Sequence, residues 1–223
     1  MGRGNHFLDI YNSLFKHFGP QDWWPGETPF EVIIGAILTQ NTSWDNVEKA
    51  IVSLKVSGKF TPEGLFKLQT DKLALLIKAS GYFNIKAKRL KNFLSFLFND
   101  YEGNIDRMLK EDSHILRHKL LNVNGIGPET ADSILLYAAE YPIFVVDAYT
   151  NRIFSRHGYI PADATYHQIQ ELFVGNLPKD TQLYNEYHAL IVMVGKELCR
   201  KTPRCNSCPI EYDLHKNAKN AIK

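Results

Sequence analysis

An all-α fold is predicted from three features of the chain: helix-capping signals recur almost throughout, apolar residues return at helical spacing, and alternating strand-like runs are nearly absent. The 223 residues, 44% hydrophobic and 12% aromatic, supply a packed interior for one large domain or two small ones. No uninterrupted apolar stretch approaches the roughly 20 residues that a membrane helix needs. The opening MGRGNHFLDIYNSLFKHF is broken by charged and polar groups, unlike a secretory signal, so a cytoplasmic or nucleoid-associated location is expected.

The elements follow in chain order. After Asn41-Thr42-Ser43, the residues Val47, Ala50, Ile51 and Leu54 recur at helical spacing and describe one helix ending near Gly58. Thr61-Pro62-Glu63-Gly64 starts another, with Thr as cap and Pro in the first helical position. A further helical stretch begins at Asp71. From Pro128 to about Glu140, Ala131, Ile134, Leu135 and Ala138 share one face, with Gly127 just outside the first turn. Ile143-Phe144-Val145-Val146 is short and apolar; it is read as a buried connector, although periodicity alone does not separate that from an extended segment. No low-complexity stretch, long linker or repeat interrupts this pattern.

A net charge of +2 and a pI near 8.3 permit nucleic-acid binding without requiring it. The distribution is more telling than the sum. Lys86, Lys88, Arg89 and Lys91 crowd one segment, and Lys196, Arg200, Lys201 and Arg204 another; each is either a solvated face or a phosphate-binding surface. Only three Cys occur, all between positions 199 and 208, which fits a metal or cluster site in a reducing compartment better than a disulfide framework.

Two stretches carry the chemistry. In Leu121-Asn-Val-Asn-Gly125-Ile126-Gly127-Pro-Glu129-Thr130-Ala131, two glycines one residue apart allow a tight backbone turn that leads into a helix start. Such a corner can cradle a phosphate, or can serve only to pack two helices closely. In Val145-Val146-Asp147-Ala148-Tyr149-Thr150-Asn151-Arg152, a carboxylate stands immediately before a new helix. Asp147 there is an N-cap, and a capping Asp is also held ionised, ready to face developing positive charge.

Together these residues resemble the helix-hairpin-helix glycosylases. Gln40 after an apolar helix, Gly81-Tyr-Phe-Asn84-Ile-Lys-Ala87 and the C-terminal cysteines are similar to endonuclease III in the same order, over about Trp23 to Cys208. The resemblance implies a two-lobed all-α fold: a six-helix barrel lobe over 21–141 containing the hairpin, a second lobe from 1–20 plus 142–223, and the active site in the interlobe cleft. It implies a monomer acting on double-stranded DNA with a damaged base. Asp147 would be the catalytic carboxylate, stabilising an oxocarbenium-like sugar. Gln40, Asn41, Gly125, Ile126, Gly127, Glu129 and Thr130 would contact DNA, Gln40 filling the gap left by the extruded base.

Glu129 departs from the family pattern. Bifunctional members carry a Lys at that place, whose amine forms a Schiff base with the sugar. A carboxylate makes no imine, so water positioned by Asp147 is the expected nucleophile; Glu129 also suits a helix first turn for purely local reasons. Trp24, Pro25 and Trp44 would form a base pocket, flat surfaces suited to an electron-poor alkylated base, unless the tryptophans simply fill core. Trp-Trp-Pro with Gly-Pro-Glu-Thr-Ala-Asp and Val-Val-Asp is most similar to the 3-methyladenine branch.

Cys199-x5-Cys205-x2-Cys208 matches the family's [4Fe–4S] loop in part, because the first gap is one residue shorter and position 214, where a fourth Cys would stand, is Leu. Asp213 or His215 could complete the set, one iron could stay open, or the loop could hold zinc or be a relict. Three functional readings follow: a monofunctional glycosylase for alkylated purines, a bifunctional glycosylase/lyase for oxidised or deaminated bases, and a non-catalytic DNA-binding module.

Overall fold

In the computed structural model, residues 3–21, 23 and 26–217 are described. Among them the chain is helical and contains no strand. None of these helices is long and apolar enough to cross a membrane. The chain divides into two compact units, one of Trp24–Tyr141 and one of Met1–Trp23 with Pro142–Lys223.

The second unit in this order begins the chain with α1 (Arg3–Phe18); the Trp24–Tyr141 unit then carries α2 (Pro29–Leu38), α3 (Trp44–Val56), α4 (Pro62–Lys67), α5 (Thr70–Leu76), α6 (Phe83–Tyr101), α7 (Ile105–Leu109), α8 (Ser113–Leu121) and α9 (Pro128–Ser133). Helix α2 is apolar apart from Glu31, which Lys55 of α3 pairs at 2.9 Å, and is buried from Phe30 to Leu38 against α3, α6 and α9. On α3 the buried residues are Val47, Ala50, Ile51 and Leu54, the face that the spacing predicts. Thr61 caps α4 by accepting a hydrogen bond from the Gly64 amide at 3.0 Å.

Helix α9 departs from expectation. Its regular part stops at Ser133 and widens into a π turn over Ile134–Ala138, where the Ala139 amide donates to the Ile134 carbonyl at 3.1 Å. Thr130, Asp132, Ser133 and Leu136 are buried along with the predicted Ala131, Ile134 and Leu135, so the segment is enclosed well beyond one face. Burial of Asp132 is compensated by Arg117 of α8, whose Nε and Nη2 donate to the two carboxylate oxygens at 2.6 and 3.1 Å. This fork ties the two helices of the hairpin together.

A second buried charge sets the end of α2. Lys86 on α6 is 1% exposed and its Nζ donates to the Leu38 carbonyl at 2.7 Å and the Ser80 carbonyl at 2.6 Å. These carbonyls terminate helical segments and would otherwise lack donors. Desolvation, with Arg89 nearby, pushes the ammonium pKa from 10.5 down to about 8.

The other unit holds α1, α10 (Ala148–Arg156), α11 (Tyr166–Val174), α12 (Thr181–Glu197) and α13 (Glu211–Asn217). Its core is aromatic: the Phe144 and Phe173 rings stack at 4.0 Å, and Phe7 meets Phe173 edge-on at 5.3 Å. Phe144 comes from the predicted connector, where Phe144, Val145 and Val146 are buried without joining a sheet. Side chains satisfy its backbone instead: Gln170 Nε2 donates to the Phe144 carbonyl at 2.7 Å, and the Val146 amide donates to the Tyr166 hydroxyl at 3.4 Å.

The lowered Lys86 pKa predicts a pH signature of stability. Below pH 8 both folded and unfolded chains hold the proton and the folded chain bears the burial cost; between about 8 and 10.5 the unfolded chain binds more protons, so stability rises with pH. Urea unfolding of the wild type across this window is expected to gain stability relative to Lys86→Met. Parallel pH profiles for the two proteins would refute the assignment.

Candidate active site

The hairpin corner lies between α8 and α9. Gly125 has φ +97, and a Cβ there would stand 2.3 Å from Cγ of Arg89, so both conformation and packing demand glycine. Gly127 differs: its φ is −94, it is exposed, and a Cβ would meet nothing within 4 Å. The close-packing reading therefore accounts for Gly125 and leaves Gly127 without an internal reason. Ile126 is 4% exposed, so it anchors the corner from inside.

Gln40 is built into this corner. Its Nε2 donates to the Gly125 carbonyl at 3.1 Å and to Thr130 Oγ1 at 2.9 Å, while its Oε1 accepts from Arg89 Nη1. Asn41 follows in the left-handed region at φ 54 and is exposed. Glu129 is exposed in the first turn of α9, Thr130 is buried behind it, and Trp44 is half-buried at the start of α3. Trp24 and Pro25 lie outside the described residues.

The first basic run splits by role. Lys86 is internal, and Lys91 donates to the Leu65 and Leu68 carbonyls at 3.2 and 2.7 Å. Lys88, Arg89 and the stem of Lys91, with Asn92, Asn124 and Gly125, line an open recess of about 540 Å3 beside the corner.

Asp147 is the N-cap of α10 and makes a reciprocal box with Thr150. Its Oδ1 accepts from the Thr150 amide at 2.7 Å and from Thr150 Oγ1 at 2.8 Å, and its own amide donates to Thr150 Oγ1 at 3.4 Å. Oδ2 lies 3.7 Å from His188 Nε2 on α12, with the two side chains 12% and 7% exposed. That separation is too long for a hydrogen bond and short enough for strong charge attraction. Burial alone would raise the carboxyl pKa; His188 and the two bonds from Thr150 outweigh it and hold the group below the ordinary carboxylate value. Sequence reasoning singled out Asp147 and missed His188, which stands alone on α12 with no motif to mark it.

The three thiols line one apolar cavity of about 320 Å3, together with Leu214, Val194 and Leu198. Arg156 Nη1 donates to Cys199 Sγ at 3.2 Å and to the Arg200 carbonyl at 2.7 Å. Burial pushes the Cys208 thiol pKa up. Asp213 does not serve as the fourth ligand: it is fully buried, its Oδ1 accepts from His6 and the Tyr159 hydroxyl, both at 2.7 Å, and its Oδ2 from His157 at 2.6 Å. Leu214 has no donor atom, and the His215 side chain lies outside the described residues. A four-cysteine cluster therefore does not fit, and three thiolates are what the loop offers. Among the described residues no group of three or more His, Cys, Asp or Glu side chains is arranged to hold a single metal ion.

With a helix-hairpin-helix and a capped aspartate in place, comparison defines the class. The family described as HhH-GPD superfamily base excision DNA repair protein matches residues 34–179, and the chain belongs to this family of DNA N-glycosylases. A protein of Methanocaldococcus jannaschii, named as a DNA repair glycosylase, is 52% identical over 210 residues, covering 93% of this chain and 95% of the relative. The endonuclease III of Thermotoga maritima is 31% identical over 181 residues, covering 81% and 79%. Among solved structures, an H. pylori 3-methyladenine DNA glycosylase bound to 1,N6-ethenoadenine superposes with TM-score 0.73 at 28% identity, covering 88% of this chain and 98% of that one. An endonuclease III in a non-covalent complex with DNA shares the fold at TM-score 0.82 and 22% identity, with both chains fully covered.

The two glycines are expected to respond differently to alanine. Gly127→Ala should leave thermal stability within about 1 kcal/mol, because its backbone angle and surroundings accept a Cβ. Gly125→Ala should lose roughly 1–3 kcal/mol through its positive φ and the clash with Arg89. Calorimetry of both variants, with duplex binding measured for Gly127→Ala, checks this; equal destabilisation would show that both glycines serve packing.

Proposed function

We propose that this glycosylase is monofunctional, acts as a monomer at the nucleoid, and removes alkylated purines such as 3-methyladenine from duplex DNA by hydrolysis. The observation that carries the reading is the Asp147 carboxylate, tied through Oδ1 to Thr150 and kept ionised although nearly buried, while the family's lysine position holds Glu129.

In this reading the corner at Gly125–Gly127 grips a phosphate through backbone amides, for which the open space beside Gly127 leaves room. The damaged nucleotide is turned out of the stack, since its glycosidic bond is out of reach inside a duplex. Gln40 then exchanges its bonds to Gly125 and Thr130 for the unpaired base opposite, with Asn41 beside it. As the base departs, Asp147 stabilises positive charge on the sugar and orients the attacking water. Trp24, Pro25 and Trp44 stack on the extruded base. The preference for alkylated bases draws support from the 3-methyladenine glycosylase likeness at 28% identity and from the missing amine at position 129.

The test is a base-release assay on duplexes carrying alkylated, oxidised or deaminated bases. Free alkylated purine is expected from the wild type, falling roughly a hundredfold or more in Asp147→Asn. Borohydride should trap no covalent adduct. A trapped adduct would replace this reading with the glycosylase/lyase one, and intact DNA binding with no base released from any duplex would replace it with a binding module.

We infer further that Cys199, Cys205 and Cys208 bind a [4Fe–4S] cluster through three thiolates, one iron lacking a cysteine ligand. The shared cavity supports this, and no catalytic step involves it. Protein purified without oxygen should contain iron and sulfide in equal amounts and absorb visible light. Stoichiometric zinc, or no metal, would overturn the inference.

A further inference from the structure

We propose that His188 is a positioning residue for Asp147, fixing the direction of the second carboxylate oxygen and holding it anionic across the contact between α10 and α12. The proposal rests on the catalytic reading of Asp147 given above.

The geometry begins at the carboxylate. Oδ1 is occupied twice by Thr150, at 2.7 and 2.8 Å, which leaves Oδ2 as the oxygen with capacity to face a substrate. Oδ2 lies 3.7 Å from His188 Nε2. At that separation the imidazole attracts the carboxylate without taking a lone pair in a hydrogen bond, so the oxygen is oriented and still available. Side-chain exposures of 7% and 12% leave little water to screen the pair.

The distance is set by helix packing rather than by side-chain freedom. Gly195 on α12 lies under the ring of Tyr149, where a Cβ would stand 2.2 Å from Cδ1. Arg152 donates from Nη2 to the Gly195 carbonyl at 2.9 Å and from Nε to the Cys199 carbonyl at 2.8 Å, with its guanidinium 4.9 Å from the Tyr149 ring centre. The first turn of α10 is thereby clamped to α12. His188 stands two turns before Gly195, on the same face of the helix.

The other ionisable groups nearby are committed differently. On α10, Tyr149 and Arg152 engage the α12 end. From α11, the Tyr166 hydroxyl accepts from the Val146 amide at 3.4 Å. On α12, Tyr184 packs edge-on to Phe144 at 5.4 Å. His188 is the ionisable side chain acting on the Asp147 carboxyl, and with Thr150 it outweighs the effect of burial.

Without His188, burial would dominate and the carboxyl would take up a proton more readily. The acid limb of base release should then move to higher pH. The test uses the full-length chain with duplex DNA treated with a methylating agent, comparing wild type, His188→Gln and Asp147→Asn in single turnover across pH. The Asp147 carboxyl is titrated in parallel by 13C NMR in wild type and His188→Gln, with His188→Asn in its place should the glutamine variant not fold. Both the acid limb and the carboxyl titration should rise by about one pH unit, a tenfold change in proton affinity, with KM for DNA little altered. A carboxyl that titrates as in the wild type, or a loss of activity equal at every pH, would overturn the proposal. If instead Asp147→Asn retains full base release, the catalytic reading of Asp147 fails, and the NMR titration still decides whether His188 governs the carboxyl.

Discussion

A carboxylate taken almost out of water must be kept charged by its neighbours, and this constraint organises the unit that contains Asp147. Desolvation works against ionisation, and an isolated buried carboxylate would simply take up a proton. Three sources oppose that here. Thr150 gives two hydrogen bonds to one oxygen, the start of α10 adds its dipole, and His188 supplies charge attraction at the other oxygen. Each source depends on backbone placement, which explains the clamp that Arg152 makes on α12 and the close approach of Gly195 to Tyr149. A side chain on Gly195 would push the helices apart and carry His188 away from its partner.

The Trp24–Tyr141 unit solves a different problem with the same economy of polar groups. Its exposed corner has to be stiff, yet glycine makes a backbone pliable. Stiffness comes from around the glycines. Gln40 holds the Gly125 carbonyl and Thr130, Arg89 lies across Gly125 and holds Gln40, and the fork between Arg117 and Asp132 fixes the helices on either side. Lys86 adds a support one step back, ending α2 so that Thr39, Gln40 and Asn41 leave the helix at a defined point. Gly125 is thus a requirement of the protein's own packing, whereas Gly127 faces open space.

What could be read from the sequence was local. The Thr61 cap, the buried stripe from Val47 to Leu54 and the cap at Asp147 depend on residues within a turn or two of each other, and spacing reveals them. The all-α class and the family followed from several such motifs in order. The π turn after Ser133 was hidden because Ile134 to Ala138 have ordinary helical spacing. His188 was hidden because its significance lies in an atom of a residue 41 positions away, brought near by helix packing. The basic run at 86–91 looked uniform in sequence, yet burial turned Lys86 inward and left Lys88, Arg89 and the half-buried Lys91 at the recess.

Asp213 shows how the same reasoning bears on the cysteine loop. Sequence proximity offered it as a ligand, but a carboxylate already accepting from His6, His157 and Tyr159 would have to surrender those bonds to bind a metal. Its position explains why it does not. Asp213 ties α13 to α1 and to the end of α10, while Arg156 holds the loop through the Cys199 sulfur and the Arg200 carbonyl. The two ends of the loop are therefore anchored by protein groups, independently of anything the three thiols bind. A loop secured in this way does not need a fourth cysteine to hold its shape, so Leu214 can occupy that corner with an apolar side chain without loosening the fold.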